Sequence, residues 1–172
     1  EKEVISLIKS RWDGLKLLRK NIGDKNIGYK CHGGYELFFD DQKIIFDDCY
    51  EKIEYLNKLL NPIFKKNVFS IIETPYNFKN ILKKCIYNPF EAQLDVGVMM
   101  KNLISNTESM GGKIITGITV KKVNENGKVK INDDFIINAK KVIITTNGFS
   151  KKLIDVDLNP ARAQVLITKT IP

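Results

Sequence analysis

The chain has 172 residues, 43% of them hydrophobic and 28% charged, a formal charge of +8 and a pI of about 9.3. This balance can pack a core and excludes wholesale disorder. The apolar runs stay as short as Val142-Ile143-Ile144, so a membrane-spanning helix of roughly 20 apolar residues is excluded.

The first segment carries Val4, Leu7, Ile8, Leu15 and Leu18 at helical spacing, with Trp12 beside that stripe. It predicts an amphipathic helix ending near Asn21-Ile22-Gly23, where glycine can take the left-handed terminal conformation. Gly14 inside it costs about 1 kcal/mol relative to alanine, so a close neighbour is expected there. Residues 27–39 are aromatic, broken by glycines, and expected to be extended. A second helix follows Asp40-Asp41 as N-terminal caps. It presents Ile45, Cys49, Ile53, Leu56 and Leu60 on one face and is expected to stop at Asn61-Pro62. Strands are expected over 68–72 and 81–87, with a turn at 73–77. A third helix opens on Asp95 as its cap, buries Val96, Met99, Leu103, Thr107 and Met110, and closes at Gly111-Gly112.

Four strands are expected after it, over 113–123, 128–131, 135–137 and 141–145. Turn chemistry separates them at Asn124-Glu125-Asn126-Gly127 and at Asn132-Asp133-Asp134. A last extended stretch covers 164–169. The helix leading through a glycine pair into a strand is half of a βαβ unit. The run Val142-Ile143-Ile144 reads as a sheet strand covered on both faces. It ends in Thr145-Thr146-Asn147-Gly148, where an open α/β sheet places its ligand crevice. Gly148 would let backbone approach a ligand.

The positive charge invites a nucleic-acid reading, yet 25 of the 28 basic residues are lysine, dispersed in pairs such as Lys65-Lys66 and Lys83-Lys84. Bidentate recognition of phosphate or guanine favours arginine, so a solvated lysine surface is the better reading and no nucleic-acid partner is expected. Neither a Gly-x-Gly-x-x-Gly loop nor a Walker-type Gly-Lys-Ser/Thr occurs, so no complete phosphate cradle is encoded. The single histidine, His32, lies next to Cys31, which is poor ligand spacing, and no metal site is expected. Three widely spaced cysteines, Cys31, Cys49 and Cys85, argue for a reducing, cytoplasmic compartment.

Residues 91–120 and 140–166 together resemble the central segment of FAD-dependent amine and amino-acid oxidoreductases, the superfamily of D-amino-acid oxidase, glycine oxidase and sarcosine oxidase. The first match is Glu91 to Asp95, the helix, and Gly111-Gly112-Lys113-Ile114-Ile115-Thr116-Gly117. The second is Lys140 to Ser150, followed by Ala161-Arg162-Ala163-Gln164-Val165-Leu166. Thr145 stands where the family usually has alanine, and Asn147-Gly148 where it has a Gly-Ala pair.

The resemblance implies an α+β fold in two lobes, a partial Rossmann-like FAD-binding lobe and part of a mixed-sheet substrate lobe. Residues 1–26 and 91–150 would belong to the first, 27–90 and 151–172 to the second. It implies FAD as cofactor, a small amine or amino acid as substrate, and hydride transfer from the substrate α-carbon to flavin N5. Val120 would contact the adenine through its backbone, and Thr145, Thr146, Asn147 and Gly148 would lie along the FAD. Glu91, Tyr35 and His32 are candidates for the substrate-side face. Each also has an ordinary reading, as a surface ion-pair partner, a cross-strand core aromatic and a surface residue.

The chain does not open on Met and is read as an excised piece. The family's glycine-rich pyrophosphate loop is expected before Glu1, and its substrate anchors after Pro172. Such a piece is expected to be inactive alone. The flank of the Val142 strand would lack its usual neighbour, so the piece either self-associates there or is a part that folds alone. The rival readings are a basic, non-enzymatic binding module and a structural domain on a degenerate flavin fold.

Overall fold

The computed structural model describes residues 1–132 and 135–168, and the chain divides into two compact units, Glu1–Ile114 and Ile115–Pro172. Helices and small antiparallel sheets make up the described residues, in keeping with the expected α+β class.

The first unit opens with α1 (Lys2–Ile22). Its inward stripe is Ile5, Ile8, Trp12, Leu15 and Leu18, whereas Val4 and Leu7 are exposed. The stripe is set by Trp12, whose ring lies 5.0 Å from that of Phe64 and 5.8 Å from that of Phe90. That contact turns Val4 and Leu7 outward. Gly23 ends the helix at φ 90°, but its ψ of 142° is extended rather than the expected left-handed helical turn. The neighbour expected at Gly14 is absent, since a Cβ there would meet nothing within 4 Å.

A 3-10 turn, Asp24–Ile27, replaces the start of the expected extended run and buries Ile27 completely. Positive φ at Gly28 (60°) and Gly33 (77°) breaks that run. Only β1 (Gly34–Glu36) and isolated bridges from Lys30 to Gln93 and from Phe39 to Ile81 remain extended.

A second 3-10 turn, Asp40–Gln42, leads into α2 (Lys43–Phe64). Gln42 precedes α2 without a side-chain capping bond to it; its Oε1 instead accepts the Phe39 N–H at 3.0 Å at the start of the 3-10 turn, and Asp40 and Asp41 make no side-chain capping bond. Phe46, Asn57 and Leu60 are buried, while Ile45 is exposed, contrary to the expected stripe. Phe46 takes the inward place because its ring packs edge-on against Phe38 at 5.3 Å. Nor does Pro62 stop the helix. The last turn survives the lost donor because the Phe64 ring lies 4.6 Å from that of Phe90, and Lys65 closes the helix in a left-handed conformation at φ 59°.

The sheet of this unit has the order β1-β3-β2, with β2 (Ser70–Glu73) and β3 (Lys84–Asn88) antiparallel. Both strands start two to three residues later than expected, β2 because Asn57 takes the backbone of Val68 and Phe69 first. Cys85 on the central strand is fully buried, and burial pushes its thiol up.

In α3 (Val96–Ser109), Asp95 is the cap as expected, its Oδ1 accepting the Val98 N–H at 2.9 Å. The expected buried stripe is not formed, since Val96 is 63% and Met110 81% exposed. The helix is held instead along one edge, where the Asn102 amide donates to the Asn26 carbonyl at 2.9 Å. The glycine pair turns the chain as expected. Gly111 has φ 85°, and a Cβ on Gly112 would lie 2.7 Å from the Thr107 methyl.

The second unit contains a three-stranded antiparallel meander, β4 (Val120–Val123), β5 (Lys128–Ile131) and β6 (Phe135–Asn138). The β4–β5 turn is the expected one, with Gly127 at φ 78° donating to the Asn124 carbonyl at 3.1 Å. The turn after β5 starts at Asn132, whose N–H donates to the Thr119 carbonyl at 2.8 Å; Asp133 and Asp134 lie outside the described residues. Of the strand expected over 113–123, only β4 forms.

The strand expected over 141–145 is not formed, and Ile143 is 84% exposed. Among the described residues no ladder partner lies beside it, so neither its backbone nor its apolar side chains gain what a doubly covered strand provides. The final stretch is unpaired through Thr168, and Lys169 lies outside the described residues.

Candidate functional site

Val120 opens β4 opposite Ile131, and the ladder shifts register between Val120 and Lys122. Thr145 precedes a 3-10 turn over Asn147–Lys152. Within that segment the Phe149 N–H donates to the Thr146 carbonyl at 2.9 Å, the Thr146 and Ser150 hydroxyls are 3.1 Å apart, and Asn147 has φ 47°. The room at Gly148 is taken by protein: a Cβ there would lie 2.9 Å from Pro160 Cβ.

The other candidates lie in the first unit, where backbone pairing brings residues 30–35 against 87–93. The Gly33 N–H donates to the Glu91 carbonyl at 3.0 Å, and Lys30 and Gln93 exchange two bonds at 3.1 and 2.9 Å. Tyr35 pairs with Tyr87 across the ladder, ring centroids 5.1 Å apart. The two glycines are required by what stands over them. A Cβ on Gly33 would meet the Tyr87 ring at 2.4 Å, and one on Gly34 would meet Glu91 Oε2 at 1.9 Å.

Successive strand residues face opposite sides. The Tyr35–Tyr87 pair therefore occupies one face of β1 and the Glu91 carboxylate the other. His32 is exposed beside them. The backbone thus gathers the three candidates into one strand region, while the Tyr35 and Glu91 side chains point apart.

Two polar arrangements are not evident from the sequence. The Arg19 guanidinium grips Asp24 with two bonds of 2.8 Å and stacks 4.0 Å over the Tyr29 ring. Its hydrogen bond to Asp24 holds that carboxyl low, and burial pushes the Tyr29 phenol up. Asn57, near the middle of α2, is buried and binds both backbone groups of Phe69. Its signal was a polar residue on a helix face otherwise carrying Ile53, Leu56 and Leu60.

A dinucleotide cofactor needs convergent backbone donors for its pyrophosphate. The N-terminus of α3 is filled by the Asp95 carboxylate, and no buried side-chain polar atom among the described residues lacks a partner. The described residues hold no cluster of three His, Cys, Asp or Glu suited to a metal ion, and none of their helices is long and apolar enough to cross a membrane.

The family model described as FAD dependent oxidoreductase (DAO) matches residues 3–172. The chain belongs to this family. No curated protein and no solved structure matches it.

Proposed function

We propose that this chain is the central part of a flavoprotein that oxidises a small amine or amino acid, passing a hydride from the substrate α-carbon to FAD. The observation that carries this reading is the family match over residues 3–172. The resemblance of residues 91–120 and 140–166 to amine and amino-acid oxidases narrows the substrate class.

In this reading residues 1–26 and 91–150 serve the FAD-binding lobe, and 27–90 and 151–172 the substrate lobe. Val120 and the segment Thr145-Thr146-Asn147-Gly148 lie along the cofactor. Glu91, Tyr35 and His32 face the substrate side, with Tyr35 and Glu91 acting from opposite faces of β1 and not as one cluster. A cytoplasmic setting suits the three free cysteines, and self-association through the unpaired 141–145 segment would supply that segment with a ladder.

The test is anaerobic reduction. The full-length parent is purified, its visible flavin absorbance recorded, and a panel of amines and amino acids added without oxygen. Bleaching by one class of substrate supports the reading. A parent that takes up no FAD and turns over no amine would support a structural role on a degenerate flavin fold.

A further inference from the structure

Two Asn-Gly steps occur in the chain, Asn126-Gly127 and Asn147-Gly148, both in the second unit. An asparagine followed by glycine can cyclise. The backbone nitrogen of the glycine attacks the carboxamide carbon of the asparagine, and no Cβ stands in the way. The attacking nitrogen gives up its proton, so a hydrogen bond that holds its N–H opposes the step. Packing that fixes the two residues opposes it as well.

At Asn126-Gly127 both obstacles are present. The Gly127 N–H donates to the Asn124 carbonyl at 3.1 Å, and the Gly127 carbonyl accepts the Ala139 N–H at 2.9 Å. The Asn126 Oδ1 accepts the Lys128 N–H at 3.3 Å. A Cβ on Gly127 would lie 2.0 Å from the Ala139 carbonyl oxygen. The meander thus holds this peptide from both sides.

At Asn147-Gly148 the attacking group is free. The bond that closes the turn there runs from the Phe149 N–H to the Thr146 carbonyl, and the Gly148 N–H donates to no acceptor among the described residues. Asn147 is exposed, at φ 47°, in the left-handed region that asparagine tolerates. The side-chain bonds around it join Thr146 to Ser150 and Lys151 to Asn159, and leave its carboxamide out.

We propose that Asn147-Gly148 is a site of spontaneous covalent modification. The Gly148 nitrogen bonds to Asn147 Cγ, the bond from Cγ to the carboxamide nitrogen breaks, and that nitrogen leaves as ammonia with the proton given up by Gly148. Water then adds to either carbonyl carbon of the cyclic imide and opens the ring, to aspartate or to isoaspartate. The net change is an amide NH2 replaced by OH at the expense of a water molecule, with no oxidant and no cofactor. Either product brings a carboxylate to position 147. Under the function proposed above, that charge enters the segment along the cofactor, whose pyrophosphate is itself anionic; the modification does not depend on that placement.

The test is peptide mapping of the 172-residue chain after incubation in mildly alkaline buffer. Trypsin releases the two steps on separate peptides, Val123–Lys128 and Val142–Lys151, and mass spectrometry reads the exchange of NH2 for OH in each. In native buffer the second peptide should convert about fivefold faster or more than the first, a factor of the size that one hydrogen bond contributes. In concentrated urea the two rates should converge, because the meander that protects Asn126 is lost. Equal rates in native buffer, or faster conversion of Val123–Lys128, would overturn the proposal. A difference that persists in urea would also overturn it, because it would arise from the residues flanking each asparagine and not from the fold.

Discussion

Replacing Asn57 by alanine removes three hydrogen bonds at once. Its Oδ1 accepts from the Val68 N–H at 2.8 Å and the Phe69 N–H at 2.9 Å, and its Nδ2 donates to the Phe69 carbonyl at 2.8 Å. The residue is 8% exposed and Val68 only 3%, so water cannot easily replace the bond to Val68. A buried donor left without a partner costs about 1–3 kcal/mol, and the two half-buried Phe69 groups add to it, giving an expected loss of about 2–4 kcal/mol. Urea unfolding followed by the fluorescence of Trp12, the only tryptophan, reports on the same unit. Asn57→Asp is the informative control. It keeps the acceptor for both N–H groups but sets a carboxylate against the Phe69 carbonyl. Its carboxyl should therefore titrate higher in the folded state than in the unfolded one. The deficit should be largest above the folded value and shrink as pH falls through it, because the protonated acid can donate. An alanine variant within about 0.5 kcal/mol of the parent, at unchanged denaturant slope, would refute the reasoning.

Gly14→Ala should stabilise the chain by about 0.5–1 kcal/mol, because the position is helical and a Cβ meets nothing within 4 Å. Gly28→Ala should destabilise it by more than about 1 kcal/mol, since φ is +60° and a Cβ would lie 2.6 Å from Asp95 Cβ; the same urea assay separates the two signs. Asp13 accepts hydrogen bonds from Lys16 at 2.6 Å and Lys9 at 2.5 Å, which together lower its carboxyl from 3.8 to about 2. A depressed carboxyl contributes above its unfolded value and loses that contribution as pH falls toward the folded one. The acid limb of stability should therefore flatten in Asp13→Asn between those two values, and an ordinary carboxyl titration of Asp13 by NMR would contradict this. Titration of the 172-residue chain with FAD should show weak binding or none, because dispersed lysines do not replace converging backbone amides; micromolar affinity would mean that a cofactor site exists among these residues.

Local chemistry made several elements legible in the sequence. Asp95 reads as a cap because a short carboxylate before an apolar run can reach a free helix N–H, and it does so at Val98. Asn124 to Gly127 reads as a turn because glycine takes positive φ, and Gly127 sits at φ 78°. The misreadings share a different origin. Propensity alone ends α2 at Pro62, but the cost of one missing donor is outweighed when Phe64 packs against both Trp12 and Phe90. Spacing alone places Ile45 and Val4 inward, and both are exposed. A residue's neighbour on the same helix can take the inward place by tens of degrees of rotation, and the contacts that decide it are remote in sequence.

The candidate site was legible to a different depth. Residues 141–145 read as a covered strand because Val142-Ile143-Ile144 has the composition of one, yet a strand is a relation between two segments and composition specifies only one of them. The substrate-side candidates illustrate the same limit in reverse. His32, Tyr35 and Glu91 are candidates by residue type, and pairing does gather their segments through the Gly33–Glu91 bond. What type cannot reveal is the face. That is set by which glycine lacks a side chain under Tyr87 and which under Glu91, so Gly33 and Gly34 decide where the ring pair and the carboxylate stand. A shift of register by one residue would exchange the two faces. Any chemistry assigned to Tyr35 and Glu91 must therefore engage them from opposite sides of β1.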